Sequence, residues 1–136
     1  GGALGRKGLL KVEDSMHTGE RIPVVAPGTA LIDALLVMNT KGLGLTTICG
    51  DRQKLLGIFT DGDLRRALHS DIVDLRHTAI DDVMTSNGKT VSKHMLAAEA
   101  LAIMEHKHIT ALVVADSEQR VEGIVHLHDI LKAGVA

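Results

Sequence analysis

Thr60, Asp61 and Asp63 lie within four residues, directly after the apolar run Leu55-Leu56-Gly57-Ile58-Phe59. Such a carboxylate has two uses. It can cap a helix: in Thr60-Asp61-Gly62-Asp63 the threonine hydroxyl accepts from the amide near Asp63 while the aspartate side chain reaches back. It can also accept bonds from two neighbouring hydroxyls of a sugar, while free amides at the helix start suit a phosphate. A ribose phosphate meets both demands. Sixty-six positions later Gly123-Ile124-Val125-His126-Leu127-His128-Asp129 repeats Gly57 to Asp63, with the glycine, isoleucine and closing aspartate in register. His126 stands in this second copy where Thr60 stands in the first.

Other reactive groups point to little. Gly88-Lys89-Thr90 ends like a phosphate-binding loop, but the first glycine of that pattern would fall at Val83. Gly42-Leu43-Gly44 lacks the third glycine of a dinucleotide fingerprint, which would fall at Thr47. The eight histidines include His106-x-His108 and His126-x-His128, and only a strand would put such a pair on one face. His126 is expected at a strand end and His128 in the following helix start, so no metal site is expected. These imidazoles better suit phosphate or carboxylate partners, a contact made pH-sensitive by a pKa of about 6.5. The lone cysteine, Cys49, falls in an apolar strand and reads as a small buried hydrophobe. No nucleophile with its base, no metal cluster and no complete phosphate loop is visible, so catalytic residues are assigned to none.

The elements that must position Thr60 and Asp63 follow from periodicity. Leu9 to Met16 reads as a short helix with Gly19 as a stop. Ile22-Pro23-Val24-Val25 reads as an edge strand, because proline lacks the amide a central ladder needs. Thr29 is the expected N-cap of a helix to about Thr40, with only Asp33 interrupting the apolar residues from Ala30 to Met38, so that helix should be covered on most sides. Gly42 to Gly44 ends it. Leu45 to Cys49 and Leu55 to Phe59 are strands around a hairpin-sized loop at Gly50 to Gln53. The second copy follows suit, with Asp82-Val83-Met84 answering Asp14-Ser15-Met16, a strand at Thr90-Val91 and a helix at Met95 to His106. Strands at Ala111 to Ala115 and Arg120 to Val125 complete it. Residues 31–68 and their partners share nine identities, among them Ala34/Ala100, Met38/Met104 and Asp63/Asp129. The expected fold is α+β: two β-α-β-β-α units of about 60 residues, each too small to be comfortably stable alone, packed face to face with pseudo-two-fold symmetry.

Composition narrows the function classes. A formal net charge of -2, from 15 basic and 17 acidic residues spread along 136, leaves no electrostatic footprint for nucleic acid or an anionic membrane. No apolar run reaches the roughly 18 residues that span a bilayer. One cysteine suits a reducing, cytosolic setting. With 45% hydrophobic residues and Phe59 as the single aromatic, the core must be aliphatic. The glycine-rich start, Gly1 to Gly8, lacks the apolar stretch of a signal peptide and reads as a linker cut from something longer.

The order strand, helix with Ala-Leu-x-x-Met, strand, then Gly-Ile-Phe-Thr-x-x-Asp resembles a CBS motif. Two in tandem, from Val12 to Lys132, resemble the CBS pair that binds adenosine-type nucleotides in many proteins. The resemblance implies that Thr60 and Asp63 hold ribose and phosphate, with the backbone of Gly44, Leu45 and Thr46 beside them and Met16, His17 and Thr18 at the mouth. It adds Phe59, and in the second copy His126 and Asp129. Gly1 to Lys7, Phe59 to Arg66 and His126 to Asp129 together resemble, more narrowly, the C-terminal part of bacterial arabinose-5-phosphate isomerases. There a sugar isomerase (SIS) domain precedes a CBS pair. The implied organisation is a linker at 1–11, CBS motifs at 12–70 and 80–136, and a connector at 71–79. The implied role is regulatory, with no cofactor required and an adenine nucleotide or CMP-Kdo as ligand. A module that only assembles the enzyme, as a homodimer here and a tetramer in the parent, is the rival reading.

Overall fold

The computed structural model describes residues 9–70 and 74–135. The expected linker over 1–8, and residues 71–73 of the expected connector, lie outside the described residues. Contacts divide the chain into two units, one of residues 20–88 and one that joins the segment ending at Gly19 to Lys89 and beyond. Each unit therefore contains the stretch that leads into the other sequence repeat.

In the unit of residues 20–88, β1 (Val24–Val25) pairs parallel with β2 (Leu45–Cys49), which pairs antiparallel with β3 (Leu55–Thr60). Pro23 immediately precedes the short edge strand, and its carbonyl accepts both the amide of Thr47, at 3.0 Å, and its hydroxyl, at 2.7 Å. Helix α1 (Leu31–Lys41) buries Leu31, Ala34 and Met38, the three-and-four spacing of one face. It ends where Gly42, at φ 68°, turns left-handed and returns its amide to Met38. Thr29 is not its cap. The N-cap is Ala30, without a side-chain bond, and Thr29 donates its hydroxyl to the Ala26 carbonyl instead. The orphan amides of the first turn find backbone carbonyls: Leu31 donates to Thr78 and Ile32 to Leu75, each at 2.8 Å. The expectation of cover on most sides also fails, for Leu36 is 64% exposed. Helix α2 (Asp61–Leu68) follows β3 without a loop.

The other unit repeats this plan with β4 (Thr90–Val91), α3 (Ala97–Lys107), β5 (Ala111–Ala115), β6 (Val121–His126) and α4 (Leu127–Lys132), in sheet order β4-β5-β6. The helix expected over Leu9 to Met16 is only a 3-10 turn at Val12–Asp14. Val12 and Glu13 donate their amides across to Met95 and Lys93, which fixes them against another segment rather than along a helix axis. Leu10 accepts the Ala97 amide at the start of α3, as Thr78 does for α1. Both hairpins shift register at the same place, between Ile48 and Cys49 and between Val114 and Ala115. The cores are aliphatic, around Leu31, Ile48 and Ile80 in one unit and Met104, Val114 and Ile130 in the other; Phe59 is fully buried in the first.

Candidate functional site

β3 and α2 meet at Thr60, whose extended backbone closes the strand opposite Leu45 and caps the helix. The capping box is complete. Thr60 Oγ1 accepts the Asp63 amide at 3.1 Å, while Asp63 Oδ2 accepts the Thr60 amide at 2.9 Å and its hydroxyl at 3.1 Å. That leaves Oδ1, which faces Arg66 Nη2 at 2.6 Å and Thr85 Oγ1 at 3.4 Å. Asp63 is only 10% exposed against 74% for Arg66, so one oxygen is bound into the turn and the other is held by a side chain that can swing away at small cost. Gly44 frames the turn from below, its carbonyl accepting the Asp61 amide at 3.0 Å. Leu45 and Thr46 continue from it as buried residues of β2, and Phe59 lies in the core of this unit.

The second copy is built differently at the same place. His126 closes β6 opposite Ala111, and its Nδ1 accepts the His128 amide at 3.1 Å, doing the work of the threonine hydroxyl. The two rings meet edge to face with centroids 4.8 Å apart. Thr110 stands for Gly44, accepting the Leu127 amide at 2.7 Å. Asp129 Oδ2 lies 2.6 Å from His17 Nε2, with the imidazole 19% and the carboxylate 35% exposed. His17 reaches it because its backbone adds to the edge of β6, exchanging both bonds with Ile124 at 2.8 and 3.0 Å. Met16, His17 and Thr18 thus belong to the unit that carries His126 and Asp129. The residue in the corresponding place beside Asp63 is Thr85, which exchanges both backbone bonds with Ile58. Sequence reasoning passed over Thr85 and Arg66. The match of Asp82-Val83-Met84 to Asp14-Ser15-Met16, carried one residue further, pairs Thr85 with His17.

The glycine of each repeat is what lets this crossing strand approach. A Cβ on Gly123 would stand 2.8 Å from the His17 carbonyl oxygen and 2.9 Å from Met16 Sδ, and backbone cannot give way as a side chain can. Gly123→Ala should therefore cost about 1–3 kcal/mol in urea unfolding and displace His17 from Asp129. Gly57→Ala, which meets only the flexible end of Met84, should cost less.

Burial, then the neighbouring His128 and His17, hold the His126 imidazole below its ordinary value, against the opposing pull of Asp129. Above about pH 6.5 neither the folded nor the unfolded chain protonates this ring, and its effect on stability is nil. As pH falls through that value the unfolded chain takes a proton that the folded one refuses, so stability drops until the folded pKa is passed. The loss of melting temperature between about pH 7.5 and about pH 5.5 should accordingly be smaller in His126→Thr than in the parent chain.

Cys49 is buried, and burial pushes its thiol up more than its hydrogen bond to Thr47 Oγ1 pulls it down, which makes it inert. Among the described residues no group of three or more His, Cys, Asp or Glu side chains could hold a metal ion, and no helix is long and apolar enough to cross a membrane.

Residues 12–70 and 80–136 match the CBS domain family. The arabinose 5-phosphate isomerase KdsD of Pseudomonas aeruginosa is 58% identical over 135 residues, covering 99% of this chain and 41% of that protein. The enzymes of Yersinia pestis and Escherichia coli K12 are 56% and 52% identical, each over 99% of this chain and 40% of theirs. The chain thus spans about two fifths of the length of the curated relatives it matches. Among solved structures, that of CBSX2 in complex with AMP superposes with a TM-score of 0.78 at 24% identity, covering 91% of this chain and 95% of that one. The CBS domain pair of protein MJ0100, in complex with 5'-methylthioadenosine and S-adenosyl-L-methionine, gives 0.77 at 23% identity, over 90% and 93%. At such identities the likeness speaks for the fold. Two β-α-β-β-α units, each closing a strand on a capped turn with an aspartate three residues on, agree with the family match: the chain is a pair of CBS domains, homologous to part of the arabinose 5-phosphate isomerases.

Proposed function

We propose that this CBS pair is a regulatory module that binds a nucleotide or sugar nucleotide and has no catalysis of its own. The observation that carries the reading is the divided carboxylate of Asp63: Oδ2 is spent on the capping box, and Oδ1 is held by an exposed arginine that a ribose hydroxyl can replace. A structural neighbour was solved with AMP and another with adenosine derivatives, which supports an adenine nucleotide as one ligand class. Thr60, Asp63 and the edge from Gly44 to Thr46 form one site; His17, His126 and Asp129, with Met16 and Thr18 beside them, form the other.

The parent protein in this reading is a cytoplasmic arabinose-5-phosphate isomerase, with a SIS domain before residue 1 that interconverts D-ribulose 5-phosphate and D-arabinose 5-phosphate. That product feeds Kdo and lipopolysaccharide synthesis, which makes CMP-Kdo the ligand suited to end-product feedback. The chain has no Trp and no Tyr, so its own absorbance near 280 nm is almost nil and a bound base dominates the spectrum. Gel filtration in a buffer containing AMP or CMP-Kdo should give a protein peak with base absorbance above the baseline; a trough without such a peak for every nucleotide tried would sink the reading.

One observation favours assembly as a second role. Ile32 and Leu36 lie exposed on α1, an apolar face suited to another copy of the chain. The isolated chain should be a dimer by light scattering at high micromolar concentration. A monomer there would remove the assembly role and leave ligand binding untouched.

A further inference from the structure

The repeats also diverge at the hairpin end of the sheet, far from the strand-to-helix turn. β5 and β6 pair from Ala111 and His126 at one end to Ala115 and Val121 at the other. Four residues at about 3.4 Å each put that far end roughly 13 Å from His126. A cleft of about 530 Å³ opens there between β4, the turn that follows it and the β5–β6 loop, a volume within the roughly 300–1,000 Å³ of small-molecule sites. Thr90, Ser92, Lys93, His94 and Glu122 line it, where the first repeat, 66 positions earlier, has Val24, Ala26, Pro27, Gly28 and Leu56. The strand registers agree with this correspondence, for Val24 faces Thr47 as Thr90 faces Val113. The first repeat builds the same strand and turn without a single one of these polar side chains, so the fold does not require them.

The walls are fixed and the charged groups between them are not closed on each other. Asp116 Oδ1 accepts the amides of Glu118 and Arg120 at 2.8 and 2.9 Å, and Gln119 turns left-handed at φ 63° with Oε1 3.4 Å from Thr90 Oγ1. Across the cleft, Ser92 Oγ accepts the His94 amide at 3.1 Å. Lys93 Nζ lies 3.4 Å from Glu122 Oε2, longer than the about 2.7–2.9 Å of a charge-assisted bond, with the side chains 37% and 28% exposed. His94 Nδ1 lies 3.9 Å from Glu13 Oε1, too far for a hydrogen bond. An ammonium has three donors and a carboxylate about four acceptor sites, so both keep capacity for a ligand.

We propose that this cleft binds a small polyhydroxylated anion, a sugar phosphate or a sugar acid, with the anionic group on Lys93 and His94 and the hydroxyls on Glu122 and Gln119. The anion draws Lys93 from Glu122, and the carboxylate so released accepts from the ligand's hydroxyls, so that neither charge is left uncompensated. Buried Val91 and Ala115 give the carbon skeleton an apolar floor. A base would find no Phe, Tyr or Trp to stack on, since Phe59 is the chain's one such residue and lies in the core of the other unit. The inference does not rest on the nucleotide reading, whose residues flank the strand-to-helix turns.

The test uses the whole 136-residue chain, labelled with 15N, and follows backbone amides by 1H–15N correlation. The probes are ribose 5-phosphate and gluconate, then ribose, inorganic phosphate, acetate and glycine. Ribose 5-phosphate, gluconate or both should move the amides of Ser92 to His94 and of Ser117 to Gln119, and which of the two does so identifies the anionic group. Ribose and the bare anions, each carrying half of the ligand, should bind at least about tenfold more weakly. Lys93→Met should weaken the sugar anion at least about tenfold, whereas Lys107→Met, the same loss of charge at the exposed end of α3, should leave it unchanged. Glu122→Leu, the first repeat's own residue, should erase the advantage of the sugar anion over the bare one. The inference falls if neither sugar anion moves these amides at millimolar concentration, or if Lys93→Met binds as the parent does while its melting curve shows it folded. It falls equally if inorganic phosphate and acetate bind as tightly as their sugar counterparts, which would leave an adventitious ion only, or if glycine moves these amides and the sugar anions do not. Ribose 5-phosphate that moves only the amides of Thr60 to Asp63 sinks this inference and leaves the nucleotide reading standing; shifts at Ser92 to His94 with no nucleotide bound anywhere sink the nucleotide reading alone.

Discussion

A saturating nucleotide should raise the melting temperature of this chain by on the order of 10 °C. A ligand that binds only the folded state at about 100 times its dissociation constant stabilises it by about 2.7 kcal/mol, and a domain of this size gains roughly 2–8 °C per kcal/mol. The aliphatic character of the chain sets the concentration needed. Phe59 is its one Phe, Tyr or Trp and is fully buried, so a base bound by this chain would lie between aliphatic side chains with backbone groups reading its edge, and affinity is expected to be moderate. Millimolar ligand is the appropriate regime. The ranking separates two physiologies: AMP or ATP at the head of the series indicates an energy sensor, and CMP-Kdo indicates end-product feedback. A broad panel of nucleotides and sugar nucleotides that shifts nothing at millimolar concentration would remove ligand sensing and leave assembly as the role.

Asp63→Ala should weaken nucleotide binding at the first site by about 1.5–3 kcal/mol, or roughly 10- to 150-fold, because a charge-assisted bond to the ribose is lost. The same substitution removes half of the capping box, which costs the folded chain about 0.5–2 kcal/mol by itself. Titration calorimetry must therefore be run well below the variant's melting temperature. Binding heats unchanged in a folded Asp63→Ala chain would exclude this carboxylate from the site.

Much of this was legible in the chain itself because the relevant physics is local. Proline at position 23 confines β1 to an edge, and Thr60-Asp61-Gly62-Asp63 carries its capping box within four residues. The repeat of 66 residues announces two units of one plan, and β2, β5 and the turn at Gly42 fall where periodicity and glycine put them. What misled was the start of α1 and the segment before the first repeat. Thr29 has the chemistry of an N-cap, yet the first amides of α1 are satisfied by carbonyls some 45 residues away, at Leu75 and Thr78. Leu9 to Met16 has helical spacing, yet its amides cross to Met95 and Lys93. Local preference cannot foresee a partner that distant in sequence, and a backbone amide donates to whichever carbonyl folding brings.

The sequence by itself determined that there are two α+β repeats, an aliphatic core and an aspartate at the head of each closing helix. Only the tertiary structure decided which groups those aspartates meet. Because the stretch leading into each repeat pairs with a strand of the other repeat, inside one unit, His17 arrives at Asp129 and Thr85 at Asp63, across 112 and 22 residues. A carboxylate facing an imidazole and a carboxylate facing a hydroxyl offer different hydrogen bonds to a ligand. That distinction arises from long-range strand pairing, which one-dimensional spacing does not record.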